Sequence, residues 1–356
     1  MKNKHIETVR GIAILLVVLF HVCQYLRLEQ ASVLRQFHIP FDYLRMPLFT
    51  VISGFVYSLR PVQKNNWRLF LAKKIRRILI PGITWAATFF AASGYFYSYL
   101  NWHLLPEALY RPYFQFWFLH ALLVVFVLVM LFEILQCIKN VVCWTITFCL
   151  SLLVSTFFVH VWPKNTTLPL VNESFFSWTG ALYLLPFFLL GIGIQRFFYL
   201  KLKQAQINVL LLLFLAGALV REYKVYQGIH SSFFFRDGGV GMLMGVASTF
   251  FIMNIKIRNP PLAIIGKFAY PIFLMHILVQ VCIDEFFKAM EVQAGGFMFP
   301  VLLTGSLFLP VIFAHLFDQT LFTRLLFLGR RRKELKILKR SPVWCNVLKA
   351  HEQKVP

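Results

Sequence analysis

Two histidines and a run of basic residues stand in or beside segments apolar enough to cross a bilayer. Titratable groups are costly there, so a functional role is the first hypothesis for each. His21 lies in "VRGIAILLVVLFHV", eleven residues after Arg10. Eleven helical residues return almost to the starting azimuth and rise about 16 Å, so guanidinium and imidazole share one stripe, the cation at one membrane edge and the base deeper. Glu7, one turn before Arg10, can pair with it. A buried imidazole can take or pass a proton, and an arginine fork suits phosphate oxygens. The plainer account divides the pair: Arg10 flanks the span, and His21 hydrogen-bonds a neighbouring helix.

A second buried imidazole, His276, lies in "GKFAYPIFLMHILVQ". Fourteen residues from Leu262 rise about 21 Å, a depth comparable with His21. Lys267 stands at the inner end, and Pro271 predicts a kink between them; a structural histidine at that kink is the alternative. In "NNWRLFLAKKIRRILIP", Lys73, Lys74, Arg76 and Arg77 crowd one helix mouth, as an anion site or as a topological signal. Arg45, Ser53, Trp117, His120, Arg236 and Asp237 are polar or amphipathic groups expected at the opposite mouths, where a hydroxyl-rich molecule would enter.

The elements that position these groups follow from composition. The 356 residues are 59% hydrophobic and 14% charged, with a mean hydropathy of +0.68, which excludes an ordinary water-soluble domain. Ten apolar segments reach or approach the ~20 residues a bilayer core requires: 11–28, 42–59, 78–100, 115–136, 142–161, 180–199, 207–221, 239–255, 262–283 and 297–317. The predicted fold is an all-α, polytopic membrane helix bundle of about ten transmembrane helices. The first segment begins like a signal peptide, but no small-residue cleavage site follows it, so a retained helix is expected.

The formal charge of +22 would suggest nucleic acid in a soluble domain. Here the basic residues punctuate apolar runs, and no nucleic-acid partner is expected. With the N-terminus cytoplasmic, 26 of the 36 Lys and Arg fall on the cytoplasmic side and nine on the other, which predicts an even number of spans and cytoplasmic termini. The chain divides into a membrane domain, 1–328, and a basic tail, 329–356, suited to anionic lipid. The six cysteines have neither zinc-type nor disulfide-framework spacing, and no metal is expected.

Five strings, in order, resemble the acyltransferase 3 family of integral membrane acyltransferases: "IETVRGIAILLVVLFHV", "MPLFTVISGFVYSL", "FLAKKIRRILIP", "FWFLHALLV" and "FAYPIFLMHILV". The similarity runs with gaps from about residue 5 to 320. The chain departs from the family pattern in carrying Lys-Lys before Arg-Arg. It also shows no fused esterase-like domain, which leaves acceptor transfer to the membrane domain or to a separate periplasmic partner.

The resemblance implies a multi-pass enzyme of the cell inner (plasma) membrane. It would move an acyl group, most commonly acetyl from acetyl-CoA, onto a hydroxyl of a carbohydrate acceptor, lipid-linked or free. Acyl-CoA is then a cosubstrate, with no permanently bound cofactor. Arg10, Lys73, Lys74, Arg76 and Arg77 are assigned to its phosphates, His21 and His276 to catalysis, and Arg45, Trp117 and Tyr270 to acceptor positioning or support. A neutral His21 can accept the proton of an attacking hydroxyl, or carry the acyl group itself. The rivals are a secondary transporter or flippase that uses the same buried groups for coupling, and a noncatalytic membrane sensor.

Overall fold

The computed structural model describes residues 4–26, 41, 43–97, 110, 114–161, 175–198, 203–226, 238–255, 257–291 and 296–331. Among them every regular element is helical, and apart from the short helices at 67–74 and 321–328 they overlap the apolar segments of the sequence. They are α1 (Lys4–Tyr25), α2 (Arg45–Ser58), α3 (Trp67–Lys74), α4 (Ile80–Tyr97), α5 (Trp117–Ile134), α6 (Val141–Val161) and α7 (Trp178–Gly193). Then come α8 (Gln204–Tyr226), α9 (Gly239–Asn254), α10 (Pro260–Lys267), α11 (Ala269–Ala289), α12 (Met298–Phe317) and α13 (Leu321–Leu328). Among the described residues, four helices are long and apolar enough to cross a membrane: α1, α5, the stretch Phe175–Phe198 that contains α7 after a kink at Phe176 and Ser177, and α12. The bent pair α10–α11 makes a fifth if it is one span. The chain is a multi-pass membrane protein.

The core is a single apolar cluster shared by most of these helices. Helix α7 packs on α2, α5 and α6, while α1 packs on α10, α2, α11 and α12. The C-terminal ends of α2, α5 and α7 are tied by Arg196, in the π-helical turn Ile194–Phe198. It forms an ion pair with Glu133 at 3.0 Å, donates from Nε to Ser58 Oγ at 2.9 Å, and donates to the Ile138 carbonyl.

The contact of α1 with α10 fixes where Arg10 can reach. Gly11 and Gly266 lie at the crossing; a methyl on the first would collide with the carbonyl of Leu262, and one on the second with that of Glu7. Only bare backbone permits this approach. Polar ties reinforce it. The ring nitrogens of His5 lie 3.1 and 3.2 Å from the carbonyls of Ile257 and Met253, and Thr8 Oγ1 donates to the Asn259 carbonyl. Asn259 caps α10 by accepting from the Leu262 amide, and Pro260 and Pro261 follow in the first turn, where a missing N–H costs little.

The expected kink at Pro271 is displaced. The chain bends by 77° between α10 and α11, at Phe268, whose backbone leaves helical geometry (φ −102°, ψ 9°). Pro271 falls in the first turn of α11, where it needs no partner for its nitrogen and bends nothing. Lys267 therefore ends one helix while His276 belongs to the next, and a straight rise from Leu262 does not describe their separation.

Candidate active site

Of three cavities against α11, the largest, about 860 Å³, is lined almost wholly by apolar side chains, and the other two hold the basic and histidine side chains. The first of these two chambers, of about 350 Å³, gathers basic side chains from four parts of the chain: Arg10 of α1, Lys74 of α3, Arg77 of the following turn, Lys267 of α10 and Arg330 beyond α13. The local backbone explains part of this convergence. Residues Ile75–Leu79 form a π-helical turn, and Pro81 has no N–H to give the Arg77 carbonyl; the Tyr270 hydroxyl donates to that carbonyl instead, at 2.7 Å. Gly329 ends α13 in left-handed geometry (φ 64°) and turns the next residue, Arg330, toward the cluster. Lys74 Nζ stands 3.5 Å from the centroid of the Phe126 ring. Burial, helped by the neighbouring Arg77 charge, pushes its pKa down to about 8.

The second chamber, of about 310 Å³, holds His21 and is lined also by Gln24, Met46, Gln115, Trp117, Phe273 and Gln280, among others. The His276 ring lies 5.1 Å from the His21 ring, centroid to centroid, fully buried behind it. Its Nδ1 faces the carbonyls of Ile272 and Phe273 at 3.0 and 2.9 Å. Only a protonated Nδ1 can donate there, which leaves a lone pair on Nε2. Among the described residues none hydrogen-bonds to that Nε2. Arg45, 8% exposed, lays its guanidinium 3.4 Å from the centroid of Phe20 and acts electrostatically on His21, which also hydrogen-bonds Gln24.

Phe273 lines both chambers. With Phe49 and Phe118, at 6.4 and 5.5 Å between ring centroids, it forms an aromatic partition between the cations and the imidazoles.

Of the residues singled out from sequence, Arg10, Lys74, Arg77 and Tyr270 meet at the cationic chamber, and His21 and Trp117 at the other, with His276 and Arg45 beside it. Lys73 is exposed and Arg76 lies off the chamber wall. Ser53, expected at an outer mouth, instead lines the cationic chamber. His120 hydrogen-bonds the Phe116 carbonyl and packs edge-on to Phe176. Arg236 and Asp237 lie outside the described residues. Sequence reasoning missed Lys267 and Arg330 as members of the cluster, and Gln24, Gln115 and Gln280 altogether. Nothing in a string of letters separates a glutamine that faces a chamber from one on a loop.

A family model described as an acyltransferase domain matches residues 3–317, well over half of the chain. No curated protein and no solved structure matches it. Both chambers and every residue named on them except Arg330 fall within the matched region. The match covers the helix bundle in which both chambers lie: the chain belongs to the acyltransferase 3 family.

Proposed function

We propose that this enzyme moves an acyl group, acetyl from acetyl-CoA in the first instance, to a hydroxyl of a carbohydrate acceptor at the cell inner membrane. In this proposal the bundle crosses about ten times, with both termini cytoplasmic and residues 329–356 as a basic tail. The observation that carries it is the common wall of the two chambers: a cation cluster suited to phosphates on one side of Phe273, and a histidine pair on the other.

The donor's phosphates are held by Arg10, Lys74 and Arg77, with Lys267 and Arg330 adding charge. Its pantetheine arm passes the Phe273 partition, and the ~16 Å rise from Arg10 to His21 along α1 is a distance such an arm can cover. In the second chamber the acceptor hydroxyl attacks the thioester carbon. His21 takes the hydroxyl proton, the carbon–sulfur bond breaks, and CoA leaves as the thiolate, which takes up a proton. His276 is the acceptor at the back of the pair: its Nε2 lone pair receives the second ring proton of His21 as positive charge develops. Such bonds are commonly long before substrate is bound. Arg45, a buried cation beside the imidazole, opposes the negative charge that grows on the thioester oxygen. An acyl-histidine route would use the same residues, with His21 attacking first.

Labelled acetyl-CoA supplied to the purified enzyme with candidate glycans tests the proposal. The His21→Ala variant is expected to insert normally and to lose transfer by about 10²–10⁴-fold. Arg10→Ala is expected to raise the KM for acyl-CoA with less effect on kcat. Undiminished transfer by a folded His21→Ala enzyme would refute the assignment.

A further inference from the structure

The second chamber carries two amides that the chemistry above does not use. Gln115, in the short 3-10 turn Phe114–Phe116, is 5% exposed, and Gln280, one turn after His276 on α11, is 1% exposed. Both line the chamber that His21 enters. Among the described residues, no group hydrogen-bonds to either polar atom of the Gln115 side chain or to Gln280 Nε2. A buried amide left without a partner is destabilising, and proteins retain few of them. Two such side chains on one small cavity, Gln115 with both polar atoms unpartnered and Gln280 with its nitrogen so, call for a ligand. Elsewhere in the bundle buried amides are satisfied: Asn254 donates to the Phe250 carbonyl.

We infer that Gln115 and Gln280 form an amide clamp for the acceptor, one that holds the hydroxyls flanking the one presented to His21. Each carboxamide offers an acceptor oxygen and two N–H donors, so each can both give to and take from a hydroxyl. The ligand class this fits is an uncharged polyol with adjacent hydroxyls. Carboxylates or phosphates would find a better match among the cations of the other chamber. Trp117 and the apolar wall of Val17, Met46 and Ile277 suit the carbon face of a ring. At about 310 Å³ the chamber sits at the small end of ligand pockets, which span ~300–1,000 Å³, and takes one sugar unit rather than a chain. The clamp deepens the proposed acyl transfer and rests on it for the identity of the reacting hydroxyl, but the binding itself does not depend on turnover.

The test uses the full chain in nanodiscs and two readouts. Equilibrium dialysis measures binding of labelled methyl glucoside, methyl galactoside and inositol; label transfer from acetyl-CoA compares these polyols with 1-propanol. The wild-type enzyme is expected to bind at least one polyol saturably and to prefer it to propanol by at least about 100-fold, since sites built around buried hydrogen-bonding groups reject ligands that lack the hydroxyl. Gln115→Leu and Gln280→Leu should each weaken binding at least tenfold and shrink that preference. Gln280→Asn, with the amide kept but its reach shortened, should fall between. Thermal midpoints of the leucine variants should stay level or rise, because an unpaired amide is replaced by a side chain of similar volume; a merely structural glutamine would lower them. Unchanged polyol binding in both leucine variants, or a wild-type enzyme that binds none of the three polyols, overturns the clamp. Glutamine-dependent binding without any label transfer would leave the clamp standing and remove the acyl-transfer proposal instead.

Discussion

Lys74 shows how a single residue can tie donor binding to pH. Its ordinary value of 10.5 is pushed down to about 8 by burial, so the unfolded chain holds this proton more tightly than the folded one. Stability from this group is accordingly lowest below pH 8 and rises as pH climbs from about 8 toward 10.5. An anion in the chamber reverses the balance by favouring the charged amine, so donor binding takes up protons near pH 8. Affinity for CoA is expected to fall as pH rises from 7 to 9, and Lys74→Met should flatten that dependence. Calorimetry in two buffers of different ionisation heat reads the proton uptake directly; the same slope in the variant would assign it elsewhere. The residues that sequence exposed share one property: Arg10, His21, Lys74 and His276 are titratable groups in or beside apolar runs, and their solvation cost is legible before any fold is known. Gln115 and Gln280 carry no charge, and their meaning arises only when two distant segments place them on one cavity.

At the scale of elements, the sequence yields helices and hides their breaks. Apolar length picks out ten segments, because a run of ~20 apolar residues in lipid must satisfy its backbone internally; among the described residues four of them, or five with the bent pair, are helices long and apolar enough to cross. It misplaces the bend of the penultimate one. A proline is a visible cause of kinking, but Pro271 falls in a first turn, and the 77° change is made at Phe268, a residue with no letter-level sign of it. The close crossing of α1 and α10 is equally silent: Gly11 and Gly266 are 255 positions apart. Their role can be measured. Gly11→Ala should push α1 away from the Leu262 carbonyl, costing about 1–3 kcal/mol of stability as overpacking does. It should also raise the KM for acyl-CoA by withdrawing Arg10 from Lys267. A normal KM in a destabilised variant would confine the glycines to packing.

For the whole molecule, charge and chemistry are arranged along one axis. The imbalance of Lys and Arg predicts cytoplasmic termini, and the cation chamber draws on the segments that the same rule assigns to that side: Arg10, the 60–77 loop and the residues after α12. Reporter fusions at each end are expected to be active only in the cytoplasm, and a terminus that reports the outside would undo the count of spans. In the orientation proposed above, the donor enters from within and the acceptor from without. That geometry sets a condition of another kind on the ring that lines both chambers. An enzyme that admits its substrates from opposite faces would be a pore but for its aromatic partition, and a cell that lives on its ion gradients cannot carry such a leak. On that proposal Phe273, with Phe49 and Phe118 beside it, would pass a thin acyl chain and stop hydrated ions, as the insulator of the membrane as well as a wall of the site. In sealed vesicles, Phe273→Ala should raise passive proton flux above that of wild type even where acyl transfer survives.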